Sequence, residues 1–299
     1  MRKVAIFGRG FGLYGYLPAL SQIQDTKIIL PSNYQEILKS RNDICEFYNI
    51  IKWEDSEEVI LETCDCVVIA LPPKQQNLFV KKCFEHNNIK HIFLEKPLSF
   101  SPNSAKKLLS ALKFCGKKFH IGYNFRYTNW GKDLLNNPQN LKNISWNFCA
   151  NHYQKNLKTW KRKHNLGGGA LRFYGIHLIA LLAEIGYSKT SFSKMQSSQK
   201  NEVESWEAEF IGDNLKPCRI SINSKSNKTN FIISKIDEET ISLNNPFQSS
   251  PVSINSSKDQ RIPYLKSGIL DLFNNETNNL KLYYKVNSLW QNIEQKSLC

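Results

Sequence analysis

The sequence predicts an α/β chain in two parts: a doubly wound parallel sheet, then an α+β domain on an open, mostly antiparallel sheet. Three observations predict it. The run Val4 to Phe7 reads as a buried strand and enters Gly8, Gly10 and Gly12 before a helix from near Phe11. Strands and helices then alternate as far as Tyr123. Beyond that point strand-like runs follow one another without helices between them, which is the habit of antiparallel sheets.

The elements follow in order. The first helix runs to about Gln22, and Lys27 to Leu30 is the second strand. Asn49 to Trp53 reads as a short strand and Ser56 to Glu62 as a helical turn with an acidic start. Cys66 to Ala70 is an apolar, buried strand ending in Leu71-Pro72-Pro73, with a helix from Gln75 to His86. His91 to Leu94 runs into Glu95-Lys96-Pro97; a helix over Ser104 to Cys115 and a strand over Phe119 to Tyr123 complete the alternation. In the second part a helix-like stretch reaches Leu135, Asn143 to Asn151 is extended, and Gly169 to Ile185 is a long apolar helix. Strands are expected over Thr190 to Met195, Val203 to Ile211, Cys218 to Ser224, Asn230 to Lys235 and Thr240 to Leu243. The stretch Asn244 to Lys258 reads as loop, and helices over Tyr264 to Phe273 and Leu280 to Gln295 close the chain. The domains are expected at 1–122, which binds a dinucleotide, and 123–299, for substrate and oligomerisation, with the last helices able to pack back on the first.

A chain of 299 residues with 41% hydrophobic content buries a large core, and no apolar run is long enough to span a bilayer. Arg2 and Lys3 precede a glycine-interrupted stretch, not a signal-peptide core, so a cytoplasmic protein is expected. The net charge of +14 is scattered, with one dense run at Trp160 to His164. That favours a small anionic ligand over nucleic acid, for which no module is visible. Eight cysteines and six histidines show no metal-ligand spacing, so no metal is expected and the thiols read as reduced and mostly buried.

The strand, glycine turn and helix at the start form the unit in which a dinucleotide pyrophosphate rests on a helix N-terminus. Gly8 permits the tight turn and Gly10 lets the backbone approach the phosphates. Leu13 stands where G-x-G-x-x-G has its third glycine, and Gly12 keeps the helix near its strand instead. The second strand ends in Pro31-Ser32-Asn33 with no carboxylate to repel a 2′-phosphate, and Arg9, Lys39 and Arg41 are basic residues available to one. This tilts the expected cofactor from NAD toward NADP. Ser32-Asn33 also suits a helix cap.

Lys96 follows a parallel strand at its carboxyl end, where open sheets bind ligands, and a lysine there donates to a substrate oxygen or a cofactor ribose. Gly167-Gly-Gly-Ala-Leu-Arg172-Phe173-Tyr174-Gly175-Ile-His177 is the second informative stretch: three glycines, then a histidine on an apolar helix. Gly175 inside that helix points to close packing.

These motifs in this order resemble the Gfo/Idh/MocA oxidoreductases: the glycine loop ending in Leu17-Pro-Ala-Leu20, Ala70-Leu-Pro72, Glu95-Lys96-Pro97, Gly167 to Leu171 with Gly175-x-His177, and Arg261-x-Pro-Tyr264. The resemblance implies a Rossmann domain followed by an α/β domain on an open sheet. It implies hydride transfer between NAD(P)(H) and a secondary alcohol or ketone of a sugar, polyol or nucleotide sugar. It maps the lysine onto Lys96 and the acid/base histidine onto His177. Cofactor contacts are expected at Gly8, Arg9, Gly10, Phe11, Gly12, Leu13, Ser32, Leu71, Pro72, Glu95, Lys96 and Asn124. Substrate contacts are expected at Arg126, Trp160, Arg172, Phe173 and Tyr174, and a homo-oligomer of two or four subunits is implied. The chain departs from the family at Phe173 and Ala180, where aspartates are common, and at Pro73 and Gln76, where an asparagine and a histidine are usual. Tyr174 or Tyr123 is therefore an alternative proton source, and a non-catalytic sensor or scaffold is the alternative reading.

Overall fold

The computed structural model describes residues 1–236, 240–248 and 259–297. The chain divides into two compact units, one of Met1–Leu98, Ser110–Asn124 and Ile254–Asn279, the other of Ser99–Leu109, Phe125–Ser253 and Leu280–Cys299.

The first unit is a six-stranded parallel Rossmann sheet. Its strands are β1 (Arg2–Phe7), β2 (Thr26–Pro31), β3 (Ile51–Glu54), β4 (Cys66–Ile69), β5 (His91–Leu94) and β6 (Lys118–Ile121). They lie in the order β3-β2-β1-β4-β5-β6, so the direction of winding reverses at β1 and the carboxyl ends of β1 and β4 open side by side. Val4, Ile6, Val67, Val68, Ile92 and Phe93 are all fully or almost fully buried, as a sheet covered on both faces requires. The first helix departs from a plain α-helix. Gly12–Tyr16 forms a wide π-helical turn, and only Leu17–Leu20 (α1) is α-helical. The short α2 (Gln35–Lys39) follows β2, and α3 (Glu57–Thr63) follows β3, capped by the Ser56 side chain accepting from the Val59 N–H. Next come α4 (Pro73–Glu85) after β4 and α5 (Pro102–Phe114) after β5, the latter containing the passage between units.

The core of this unit takes in a helix from far along the chain. Ile262, Leu265, Ile269, Leu272 and Phe273 of the later helix Ile262–Asn274 pack with Val4, Leu13, Leu17, Leu20 and Phe93. Gly268 permits the approach: a Cβ there would lie 3.3 Å from the Phe93 ring. The Arg2 guanidinium lies 4.4 Å over the Phe273 ring, and Asn278 brackets β6 by accepting from Phe119 N–H and donating to the Lys117 carbonyl.

In the second unit α6 (Asn129–Asn136) leads to β7 (Leu141–Cys149) and the short α7 (Asn151–Gln154). A π-helical turn, Ala170–Gly175, feeds α8 (Ile176–Ile185). Then come β8 (Tyr187–Gln199), β9 (Glu202–Gly212), β10 (Cys218–Asn223), β11 (Lys225–Lys235) and β12 (Ile241–Leu243). The sheet order is β12-β11-β7-β10-β9-β8; every pairing is antiparallel except β7 with β10. Alternate residues Ile144, Trp146, Trp206, Ala208, Phe210, Ile220, Ile222, Phe231 and Ile233 are buried, whereas Glu207, Arg219 and Ser221 on the other face are exposed. α9 (Ile262–Asn274) belongs to the first unit, and α10 (Leu280–Ser297) to the second, where Asn292 accepts from Thr190 N–H. The expected loop over Asn244 to Lys258 is irregular as far as Gln248, and 249–258 lie outside the described residues. No described helix is long and apolar enough to cross a membrane.

Gly175 has the packing role its position implies. A Cβ would lie 2.8 Å from Trp206, whose buried indole is held by its N–H donating to Ser193. Gly175→Ala is expected to cost about 1–3 kcal/mol by overpacking, read as a lower urea midpoint with an unchanged slope.

Candidate functional site

At the end of β1 the backbone has no room for a side chain. Gly8 has φ +140°, and a Cβ there would lie 2.3 Å from the Ala70 carbonyl oxygen at the end of β4. Its N–H donates to the Tyr34 hydroxyl at 3.1 Å. Gly10 is the opposite case: a Cβ there meets nothing within 4 Å, so this stretch of backbone faces open space. Gly12 sits 3.0 Å, by the same measure, from Ile6 Cγ2, which seats the helix on its own strand. Leu13 is fully buried, and its N–H donates to the Gly10 carbonyl at 3.0 Å.

Ser32 opens a short 3-10 turn directly after β2, with Tyr34 at its end. The Arg9 guanidinium lies 6.0 Å from the Tyr34 ring centroid. The other two cations considered for a 2′-phosphate are engaged elsewhere. Arg41 pairs with Asp43 and lies over Tyr14, and the Lys39 ammonium lies over Tyr48.

Leu71 and Pro72 follow β4, Glu95 and Lys96 follow β5, and Asn124 follows β6, so these residues gather at adjacent strand ends. The Lys96–Pro97 peptide is cis. Glu95 is 8% exposed; its carboxylate accepts from the Tyr16 hydroxyl and, at 3.2 Å, from the Lys96 N–H. Burial pushes the Glu95 carboxyl up, against the opposing pull of Lys96 and Arg261. Burial first, then Glu95, pushes the Tyr16 phenol up as well. Arg261 is bidentate to Asp259 and lies 4.3 Å over the Phe11 ring. Asn124 is 2% exposed, and its Oδ1 is a buried acceptor with no hydrogen-bond partner among the described residues.

In the second unit Gly167 ends a 3-10 turn at φ +91°, and Gly168 and Gly169 stand where the backbone passes close to its neighbours. A Cβ on Gly168 would lie 2.3 Å from the Trp160 carbonyl oxygen, and one on Gly169, at φ +82°, 2.8 Å from that of Val203. His177 is buried, stacked 4.7 Å from Phe125 with Phe247 edge-on at 6.0 Å. Trp160, Phe173 and Tyr174 are half-buried and meet edge to face: Trp160 to Phe173 at 5.3 Å and Phe173 to Tyr174 at 4.8 Å, with the Lys161 ammonium 5.5 Å over Phe173. Phe148 and His152 extend this aromatic wall behind Tyr174.

The two arginines expected at substrate have protein partners. Arg172 is bidentate to Glu294 at 2.7 and 2.6 Å and also donates to the carbonyls of Phe100 and His164. Arg126 pairs with Glu184 at 2.8 Å. Sequence reasoning passed over His152, which has no motif around it. Its Nε2 is buried without a partner among the described residues, and burial, then Lys161 and Arg162, pulls its pKa down to about 4.

Residues 2–123 match the family model described as "Oxidoreductase family, NAD-binding Rossmann fold", that of the Gfo/Idh/MocA proteins. An uncharacterized oxidoreductase of Synechocystis is 26% identical over 188 residues; the match spans 58% of this chain and about half, 48%, of that relative. Among solved structures, the WlbA dehydrogenase from Bordetella pertussis, in complex with NADH and UDP-GlcNAcA, superposes with a TM-score of 0.75. It is 14% identical, with 100% of this chain and 96% of that one covered. KijD10, a 3-ketoreductase from Actinomadura kijaniata in complex with NADP and TDP-benzene, gives 0.71 at 13% identity, with 99% and 98% covered. At these identities the structural likeness concerns the fold.

Two outcomes follow from the second unit's buried polar groups. Arg172→Leu leaves Glu294 with the Trp290 indole N–H but no cation and takes a donor from the Phe100 and His164 carbonyls; it is expected to lower stability by about 3–5 kcal/mol, with Arg172→Leu/Glu294→Leu recovering most of it in a urea-melt cycle. His152 is neutral when folded, and in the unfolded chain it takes a proton near its ordinary 6.5. Its contribution is therefore complete above pH 6.5 and lost as pH falls toward about 4. His152→Phe should flatten the pH dependence of the urea midpoint across that window relative to the wild type.

Proposed function

We propose, from the match of residues 2–123 to the NAD-binding Rossmann model of the Gfo/Idh/MocA oxidoreductases, that this protein is an NAD(P)-dependent enzyme. It exchanges a hydride with a secondary alcohol or ketone carbon of a sugar or nucleotide sugar, in carbohydrate biosynthesis. The observation that carries the reading is the row of groups on neighbouring strand ends. Gly10 has open space before it, Lys96 follows β5, and the unpartnered Asn124 acceptor follows β6. These groups suit a dinucleotide: the glycine turn would take the pyrophosphate, and Asn124 Oδ1 would accept from the nicotinamide carboxamide.

When bound, the nicotinamide supplies or receives the hydride at its C4. The protein's part is electrostatic and protonic. The Lys96 ammonium donates to the substrate oxygen and stabilises the charge it gains during reduction. His177 delivers the proton in that direction and removes it in the other. Phe173 replaces the carboxylate that would raise the basicity of His177, so Tyr174 is the second candidate donor. Arg9 beside Tyr34, with no carboxylate at the end of β2, supports NADPH over NADH. The aromatic wall of Trp160, Phe173 and Tyr174 with Lys161 suits a planar or ring-bearing anionic ligand such as a nucleotide sugar. The complexes of the two structural relatives with UDP-GlcNAcA and TDP-benzene are consistent with that class. A cytoplasmic homodimer or homotetramer completes the proposal.

A non-catalytic dinucleotide sensor is the second reading, favoured by the burial of His177 between Phe125 and Phe247. Nicotinamide fluorescence on binding, followed by turnover with a panel of nucleotide sugars, separates the two. The enzyme reading expects tighter binding of NADPH than NADH and turnover on at least one nucleotide sugar. With that substrate, Lys96→Ala and His177→Ala should each lower kcat by about 10²–10⁴-fold. Cofactor binding without turnover on any of the panel supports the sensor, and near-wild-type rates in both variants remove the mechanism.

A further inference from the structure

We propose that Gln76 is a positioning residue for Lys96: its carboxamide clamps the turn on which the lysine stands. Lys96 lies just past the end of β5 in the stretch Glu95 to Leu98, and Pro97 gives that stretch one backbone donor fewer. Gln76, in the first turn of α4, is fully buried. Its Nε2 donates to the Glu95 carbonyl at 2.8 Å and the Leu98 carbonyl at 3.1 Å, with the Pro97 carbonyl at 3.4 Å. Its Oε1 accepts from the Glu95 N–H at 2.9 Å. One side chain thus ties the backbone on both sides of Lys96.

The chemistry selects an amide. Only a carboxamide offers two N–H donors and an acceptor without charge. A glutamate would face three carbonyl oxygens with a negative charge, and a neutral histidine supplies one donor and one acceptor. Leucine fills the volume but leaves buried carbonyls unpaired.

A second support stands beside the first. Tyr16 donates to Glu95, whose carboxylate also receives the Lys96 N–H, and the Tyr16 ring is wedged against Phe11 at 5.3 Å and Phe93 at 5.2 Å. Gly122 leaves the space: a Cβ there would lie 3.2 Å from both Glu95 Oε1 and the Tyr16 hydroxyl. The backbone donor of Lys96 and the carbonyls around it are therefore fixed from two sides.

The inference rests on the reading of Lys96 as the lysine that meets cofactor and substrate, and the test separates the two. The full chain is acetylated with a trace of acetic anhydride over a range of pH, with and without NADPH, and the rate at Lys96 is read by peptide mass spectrometry against the other lysines. Wild type, Gln76→Leu and Gln76→His are compared. Protection of wild-type Lys96 by NADPH tests the cofactor reading. The cofactor-free rate at Lys96 tests the clamp. In Gln76→Leu it is expected to change about threefold or more, at Lys96 alone, since acetylation reads the amine's accessibility and its surrounding charges, both of which shift with the turn. Gln76→His, with one donor kept, should fall between, and it carries the test if the leucine variant does not fold. A Lys96 rate unchanged in every folded variant overturns the clamp, whether or not NADPH protects. A changed rate with no protection in the wild type overturns the cofactor reading and leaves the clamp standing.

Discussion

The first unit depends on how closely two strand ends approach. Gly8 and the Ala70 carbonyl lie so near that a single methyl group would collide. This contact joins the ends of β1 and β4 at the reversal in strand order, forces the chain to turn at once, and starts the helical turn against Ile6. The position of Lys96 follows from it, because β5 is registered on β4, with Leu94 opposite Ile69. The turn after β5 is then held by Gln76, which itself stands at the start of the helix leaving β4. Strand order, glycine and amide form one chain of dependence.

What the sequence made legible were features carried by local pattern. Apolar runs such as Cys66 to Ile69 and His91 to Leu94 can only be buried strands, and both appear within a residue of where they were read. The extended run read over Asn143 to Asn151 is β7, displaced two residues toward the N-terminus at Leu141–Cys149. Long-range placement was legible only as the possibility that the last helices pack back on the first domain, not as which of them does. Nothing in Ile262 to Asn274 shows that its apolar face meets Phe93 and not the second sheet; the decisive feature is Gly268, whose reason lies in a distant residue. Nor does periodicity encode the two π-helical turns at Gly12–Tyr16 and Ala170–Gly175.

The candidate groups divide in the same way. The glycine turn and Lys96 were visible because each stands at a strand end. The reasons for the glycines at 168 and 169 were not, since they lie in distant residues, the Trp160 turn and the Val203 backbone. Arg172 looks in sequence like an anion binder beside a glycine loop, but Glu294, more than a hundred residues later, takes its fork. A glutamine in place of a histidine reads as a lost motif; buried at the start of a helix, it is the group with the fullest set of bonds around Lys96.

The helix Ile262–Asn274 also bears on how the polypeptide is made. It supplies part of the first core, yet it leaves the ribosome after the whole second sheet has been synthesised. At ordinary translation rates Phe93 and its neighbours wait on the order of ten seconds for that cover. During this interval the nascent N-terminal half carries an uncovered apolar surface, a natural binding place for a chaperone, and a fragment ended near Asn124 would keep that surface permanently.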